Sequence, residues 1–211
     1  MSIQLRLFSL LSLLFISINA NANANESSYV EITPLVGYRF GGDFDATNDE
    51  TEITTKIKLN EDTSYGFLLA WDYDKNRQGE LLVSHYASRF SQSINSISSN
   101  NNVAITYAHV GGNVPISDGM VPLFVTGGLG LTHFSPEDAQ LSDETRFSLN
   151  IGLATKIPVS EQVSLRFGGR VYATFFNSDS QIFCIEENCA ISISSNLWIQ
   201  SEVNAGITFS F

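Results

Sequence analysis

LWIQSEVNAGITFSF, residues 197–211, alternates apolar and polar side chains along nearly its whole length. The set that runs back in twos from Phe211 is mainly apolar, whereas the other set carries Gln200, Glu202 and Asn204. A period of two predicts a β-strand with one apolar and one polar face. An aromatic strand of this kind suits the wall of a barrel in lipid, where closure pairs every strand edge. This stretch therefore predicts a membrane barrel.

The N-terminal segment predicts export. Residues 7–18 (LFSLLSLLFISI) follow Arg6 and form an apolar run that is too short to span a bilayer comfortably as a helix. Small residues come next, so we expect cleavage after Ala22 or Ala24, with residues 1–24 as signal peptide. Residues 25–211 are then long enough for one domain. An exported chain with an amphipathic last strand indicates an integral outer-membrane protein of a Gram-negative bacterium.

The composition narrows the possible partners. The chain has 22 acidic and 11 basic residues, and its formal net charge is -11. Nucleic acid is excluded as an expected partner, because phosphate binding requires a basic surface. The mean hydropathy is near zero. That value suits a barrel whose strands face lipid with every second residue only.

Seven further segments share the period of two and precede the terminal strand. Their predicted bounds are residues 29–41, 64–73, 79–90, 103–114, 121–134, 146–157 and 163–176. The connections alternate between long ones, at 42–63, 91–102, 135–145 and 177–190, and short ones, at 74–77, 115–119 and 158–162. A regular alternation of long and short connections is not expected in a β-sandwich. The pattern predicts an all-β fold: an eight-stranded antiparallel transmembrane β-barrel with short periplasmic turns and long extracellular loops.

Three motifs carry a resemblance to a known group. GYRFGGDF (37–44), VPLFVTGGLGLTHF (121–134) and GITFSF (206–211) resemble the small outer-membrane β-barrel superfamily, of the OmpA transmembrane domain and OmpX type. The resemblance runs from about residue 27 to 211. It implies that the barrel-assembly machinery reads the terminal strand with Phe209 and Phe211. Because the chain ends on the barrel, the peptidoglycan-binding domain of OmpA is not expected.

The polar faces of the predicted strands carry charges of both signs. An eight-stranded barrel is just wide enough for side chains to fill its interior, so opposite charges are expected to pair there. We expect Glu202 and Asn204 to lie opposite Arg166 and Arg170. Two hypotheses follow, a plug that closes the barrel and a gated polar pore, and the small bore favours the plug. The predicted lumen network consists of Glu31, Arg39, Glu80, Lys156, Arg166, Arg170 and Glu202.

A catalytic constellation is not evident, so we predict no enzymatic activity and assign no catalytic residue or cofactor. Lipid A deacylases of this shape carry a His and a Ser two residues apart on the lipid-facing exterior. His85 and Ser88 are three apart and should point to opposite faces, and Ala87 stands where the nucleophile belongs. His109 and His133 are interpreted as ordinary residues near strand ends.

Acidic residues concentrate in the long connections, at 43–52, 137–144 and 179–187. One hypothesis is divalent cation binding, as a calcium site or as bridges to lipopolysaccharide phosphates. The other is a solvated surface, which we favour because residues 43–52 lack the EF-hand spacing. No metal-binding residue is therefore assigned.

Cys184 and Cys189 flank four residues in the last long connection. Thiols pair in an oxidising compartment, so we predict a disulfide between them. Metal binding is less favoured, because no His or further Cys lies nearby in sequence.

The sequence leaves three classes of function. The leading hypothesis is a non-enzymatic structural or surface-interaction role, in adhesion or recognition, with outer-membrane lipids and lipopolysaccharide as partners. The alternative is a narrow pore or transporter for a small or hydrophobic solute. A lipid A modifying enzyme is the third.

Overall fold

The computed structural model describes residues 30–48, 53–57, 59–74, 77–94, 97–117, 121–137, 142–176, 181–185, 188–192 and 197–211. The predicted signal peptide at 1–24 lies outside these ranges. No helix within the described ranges is both long and apolar enough to cross a membrane.

The described chain is built from β-strands. Their bounds are β1 Val30–Gly41, β2 Phe44–Asn48, β3 Ile53–Ile57, β4 Asp62–Asp74, β5 Arg77–Ile94, β6 Ile97–Ser117, β7 Leu123–Pro136, β8 Glu144–Pro158, β9 Val163–Phe175, β10 Gln181–Ile185, β11 Asn188–Ser192 and β12 Leu197–Ser210. Eight of them form one closed barrel in the order β1-β12-β9-β8-β7-β6-β5-β4. The prediction of an eight-stranded antiparallel barrel is confirmed.

Closure depends on β1, which pairs antiparallel with β4 on one side and with β12 on the other. Ile32 of β1 is opposed to Phe209, and Arg39 is opposed to Glu202. Because both edges of β1 are paired, the backbone groups of the wall find partners around the ring, as a lipid environment requires.

Side-chain burial along β12 follows the predicted period of two. Trp198, Gln200 and Glu202 are 1–3% exposed, whereas Leu197 and Ile199 are 41% and 50% exposed. The polar face therefore points into the lumen and the apolar face outward. Exposed apolar side chains of this kind recur on all eight strands of the barrel.

The structure corrects the predicted extent of the long connections. Of residues 91–102, predicted as a loop, 91–94 and 97–102 continue the pairing of β5 with β6, as far as Ile94 opposite Ile97. The first and fourth long connections contain the hairpins β2–β3 and β10–β11. Backbone pairing does not require apolar alternation where neither face meets lipid. The hydrophobic pattern therefore ends before the strands do.

Candidate functional site

The middle of the lumen is closed by Arg39 and Glu202. Their side chains form an ion pair and are 0% and 2% exposed. Ser64 and Ser84 each donate to Glu202 Oε2 over 3.0 Å, and Arg39 Nη2 donates to Ser84 Oγ over 2.7 Å. We call this group, with the three tyrosines described next, the Arg39 layer.

Three tyrosine rings surround the Arg39 guanidinium. Its central carbon lies 4.8 Å from the ring centre of Tyr86 and 4.6 Å from those of Tyr107 and Tyr172. Cation–π attraction at these distances is strongest where water is excluded, and all three rings are at most 1% exposed. Gln200 links two of the hydroxyls, accepting from Tyr107 over 2.8 Å and donating to Tyr86. These tyrosines are not among the predicted lumen residues, although each belongs to the inward-facing set of alternating residues on its strand.

A second group of charges lies next to the Arg39 layer, toward the short turns. We call Glu80, Arg166, Arg170, Asn113 and Asn150 the Glu80 layer. Arg166 Nη2 donates to Glu80 Oε1 over 2.9 Å, and Arg170 Nη2 donates to Glu80 Oε2 over 2.8 Å. Asn113 Nδ2 donates to Glu80 Oε1 over 2.8 Å, and Asn150 Oδ1 accepts from Arg170 Nη1 over 2.9 Å. One carboxylate therefore serves two guanidinium groups.

The partners of Arg166 and Arg170 differ from the predicted ones. Both bind Glu80, although Glu202 is opposed to Arg170 in the pairing of β12 with β9. Glu202 is taken by Arg39, and it also accepts from Asn204 Nδ2 over 2.9 Å. The long arginine side chains cross the lumen to β5. The alternation of side chains along one strand shows only which face each side chain occupies, so it cannot predict this pairing.

The remaining predicted charges lie at the short-turn mouth of the lumen. Lys156 Nζ is 2.5 Å from Glu31 Oε2 and 2.8 Å from Gln78 Oε1. The Lys156 and Glu31 side chains are 11% and 14% exposed. The structure thus places every predicted network residue on the lumen side.

The loop-side end of the lumen is closed by an apolar cap. Phe134 packs against Trp198 and Phe176, with ring centres 5.2 Å and 5.8 Å apart. Trp198 Nε1 donates to the Gly42 carbonyl over 2.8 Å, which ties the beginning of the first long connection to the cap. The cap comprises the buried residues Leu59, Val103, Ile105, Phe134, Phe176 and Trp198.

The histidines lie in different environments. His85 faces outward, 2.8 Å from Thr106 Oγ1, whereas Ser88 is buried on the other face of β5. His133 faces outward near the end of β7, 2.9 Å from Thr145 Oγ1. The prediction that His109 lies near a strand end is wrong. It points into the lumen from the middle of β6, where its Nε2 is 2.9 Å from Ser148 Oγ.

The candidate calcium ligands mostly fall outside what the structure shows. Asp49, Glu50, Glu52, Asp138, Asp179, Glu186 and Glu187 lie outside the described residues. Among the residues that are described, no three His, Cys, Asp or Glu side chains come together as a metal site would need.

Cys184 and Cys189 are opposed positions in the pairing of β10 with β11. The Cα atoms of opposed residues in antiparallel strands are about 4.5–5.5 Å apart, a separation that a disulfide spans. The predicted disulfide remains a prediction with a compatible backbone register.

We expect the exported protein to resist alkylation at both cysteines unless a reductant is added. The double variant Cys184→Ser, Cys189→Ser should leave the barrel folded. Its fourth long connection should be cut faster by a protease of broad specificity such as proteinase K. A disulfide that closes so short a loop stabilises the folded loop by about 2 kcal/mol. Mass spectrometry of intact and digested protein measures both effects. Alkylation without reductant would contradict the disulfide.

Comparisons with known proteins agree with this geometry. The family model for the outer membrane protein beta-barrel domain matches residues 8–211, so the resemblance predicted from the motifs is confirmed. No curated protein matches the chain in sequence.

Three solved structures show the same fold at low identity. OprG from Pseudomonas aeruginosa is 9% identical, with 87% of this chain and 95% of OprG covered and a TM-score of 0.54. Neisserial surface protein A is 12% identical, with coverage of 88% and 98% and a TM-score of 0.54. AlkL, an outer membrane protein determined in DMPC lipid bilayers, is 15% identical, with coverage of 90% and 92% and a TM-score of 0.53.

Proposed function

Because the chain belongs to the outer membrane protein beta-barrel domain family, we propose that this integral protein of the bacterial outer membrane acts through its outer surface. Its role is structural or surface-interacting, in adhesion or recognition, and non-enzymatic. The lumen serves as a plug that holds the barrel closed.

The filled lumen is the observation that carries this proposal. The mouth pair of Lys156 and Glu31, the Glu80 layer, the Arg39 layer and the apolar cap follow one another from the short turns to the loops. Arg39, Glu80, Arg166 and Glu202 are each at most 3% exposed, although they lie inside what would be the passage. A solute would have to displace paired charges, which is costly in a low-dielectric interior. The surface that remains for interaction is the outside of the barrel and its loops.

The partners follow from the outer surface. The exposed apolar side chains fit the acyl chains of outer-membrane lipids, and the loop side would meet lipopolysaccharide. Phe209 and Phe211 lie on the outward side, 40% and 72% exposed, where the barrel-assembly machinery could read them.

Two measurements test the surface role. The purified protein in planar bilayers should give no stable single-channel current, and currents comparable with those of a general porin would overturn the plug. Exchanging residues 44–57 for a glycine-serine linker should reduce adherence of expressing cells to host cells or matrix. The lumen variant Thr132→Val is the matched control and should adhere like wild type. The opposite ranking would contradict a surface role.

The non-enzymatic assignment has its own test. Lipid A from cells that express wild-type protein or the variant His85→Ala should have the same mass spectrum. A deacylated species that is present with wild type and missing with the variant would overturn the assignment.

Uptake of a small solute is the second candidate function. An open cleft of about 480 Å³ lies at the loop-side edge of the wall. It is lined by the polar residues Asp62, Ser88, Asn102, Ser135 and Glu137 and by the apolar residues Ala87, Val103, Ala104 and Pro136. Solute uptake by reconstituted vesicles would separate this function from a purely surface role.

The layers should block conduction redundantly. The double variant Arg39→Ala, Glu202→Ala should stay electrically silent in planar bilayers, because the apolar cap still closes the loop-side end. Adding Phe134→Ala and Trp198→Ala should also leave it silent, because the paired charges of Glu80, Arg166 and Arg170 still fill the lumen. Currents from the double variant alone would show that neither the cap nor the Glu80 layer seals, and currents from the quadruple variant would show that the Glu80 layer does not block on its own.

A further inference from the structure

Two histidines on the outside of the barrel each meet a threonine of the neighbouring strand. His85 Nδ1 on β5 is 2.8 Å from Thr106 Oγ1 on β6, and His133 Nδ1 on β7 is 2.9 Å from Thr145 Oγ1 on β8. Both pairs are opposed residues in the pairing of their strands. The outer wall thus carries the same contact between a hydroxyl and an imidazole twice, and the two copies can be compared.

The two copies differ at the second nitrogen of the imidazole ring. His133 Nε2 lies 3.7 Å from Asp143 Oδ2, whereas no described carboxylate forms the equivalent pair with His85. Ser135 follows His133 by two residues on the same outward face, and its hydroxyl donates to Asp143 Oδ1 over 3.0 Å. Ser135 therefore holds the carboxylate that faces the His133 ring.

The carboxylate determines which nitrogen of His133 is basic. A neutral imidazole carries its proton on one nitrogen only, and an ionised carboxylate can only accept. The proton therefore belongs on Nε2, which faces Asp143, and Nδ1 accepts from the Thr145 hydroxyl. A hydroxyl, an imidazole and a carboxylate in this order form the arrangement that activates a nucleophile.

The Thr145 hydroxyl lies where the outer wall changes from apolar to polar. Toward the short turns, the next outward residues are Leu131 on β7 and Phe147 on β8, which are 50% and 51% exposed. Toward the loops, the next outward residues are Ser135 and Asp143. The acyl chains of a lipid cover the apolar band, and the ester groups that join them to the headgroup lie at its boundary. Thr145 is therefore at the depth of lipid ester groups.

We propose that Thr145, His133 and Asp143 form an outward-facing centre that hydrolyses carboxylic esters of outer-leaflet lipids. His133 Nδ1 takes the hydroxyl proton while Thr145 Oγ1 attacks the ester carbonyl carbon. The bond from this carbon to the alcohol oxygen breaks, the alcohol leaves with that proton, and the acyl group stays on Thr145. Nδ1 then takes a proton from water, and the water oxygen attacks the acyl carbon. The bond to Oγ1 breaks, the fatty acid leaves, and Oγ1 regains the proton.

The activity goes beyond the proposed surface role. It leaves the plug unaffected, because the centre lies on the outside of the wall. It would replace the non-enzymatic assignment, whose test at His85 does not reach this centre. Asp143 is a positioning residue that keeps the His133 proton on Nε2, and Ser135 positions Asp143.

Hydrolysis of p-nitrophenyl decanoate by the purified protein in detergent micelles tests the centre. His133→Gln and Thr145→Val should each lower kcat by about 100-fold or more, the range for losing general base catalysis. Thr145→Ser keeps a hydroxyl and should remain active. His85→Gln and Thr106→Val change the pair that lacks the carboxylate, so these matched controls should keep the wild-type kcat. A wild-type rate no higher than that of Thr145→Val would overturn the proposal, and so would equal losses in the two pairs.

Two further measurements test the positioning residue and the substrate class. Asp143→Asn should lower kcat with little change in KM, and Asp143→Glu should restore part of the loss. An Asp143→Asn variant with the wild-type kcat would overturn the proposal. Vesicles of phosphatidylethanolamine and vesicles that contain lipid A separate the two sources of lipid ester, with the released fatty acid measured by mass spectrometry. Release that depends on Thr145 from either kind of vesicle supports the proposal, and release from neither overturns it.

Discussion

Replacing Gly130 by alanine is expected to destabilise the barrel by about 3 kcal/mol, the upper part of the range for overpacked sites. Gly130 points into the lumen from β7 and is opposed to His109 of β6. A Cβ atom there would collide with the carbonyl oxygen of Ala108 and would lie 2.7 Å from the Cα atom of His109. Backbone atoms cannot rotate away as a side chain does, so the two strands would have to separate.

Gly127 on the same strand provides the matched control. It faces outward, and a Cβ atom there would meet nothing nearer than the Asn150 carbonyl oxygen at 3.5 Å, an ordinary contact. Gly127→Ala should therefore be at least as stable as wild type, because alanine loses less backbone entropy on folding. Urea unfolding in lipid vesicles, followed by tryptophan fluorescence, measures both variants. Equal stability of the two would show that β6 and β7 have room to adjust.

The fold was predictable because lipid imposes a strict rule on each strand. Every second side chain must be apolar, so the period of two in residues 197–211 could be read directly from the sequence. The same rule assigned Glu80 and Arg170 to the lumen. The rule applies only to residues that lie in the lipid. Residues 91–94 and 97–100 lack the apolar alternation, so the sequence wrongly predicts a loop where these two segments pair.

The arrangement inside the lumen was not predictable in the same way. The alternating pattern shows which face of the wall a side chain occupies. It does not show the partner, because an arginine is long enough to reach acceptors on distant strands. Arg166 on β9 bonds to Glu80 on β5, 86 residues away in sequence. The tyrosines around Arg39 come from three strands, and an inward tyrosine alone gives no sign that two others share its cation. Such clusters depend on side-chain length and on the relative heights of strands around the barrel.

Replacing Glu80 by leucine is expected to cost about 3–5 kcal/mol of unfolding free energy, the range for breaking a buried ion pair from one side. The variant would leave Arg166 and Arg170 as two buried guanidinium groups without a carboxylate. Asn113 would lose less, because its NH₂ group also donates to Gln78 Oε1 over 3.1 Å. Glu31→Leu removes a carboxylate from the more accessible mouth pair, so it should cost less than Glu80→Leu.

The triple variant Glu80→Leu, Arg166→Leu, Arg170→Met separates charge from volume. Replacing a whole buried ionic group by apolar side chains of similar size is often neutral or stabilising, so the triple variant should recover most of the loss. Urea unfolding in lipid vesicles compares all variants with wild type. A triple variant as unstable as Glu80→Leu alone would mean that the cost comes from packing. Recovery would mean that the Glu80 layer is held by charge balance, and that this one carboxylate makes it possible to bury two arginines in the lumen.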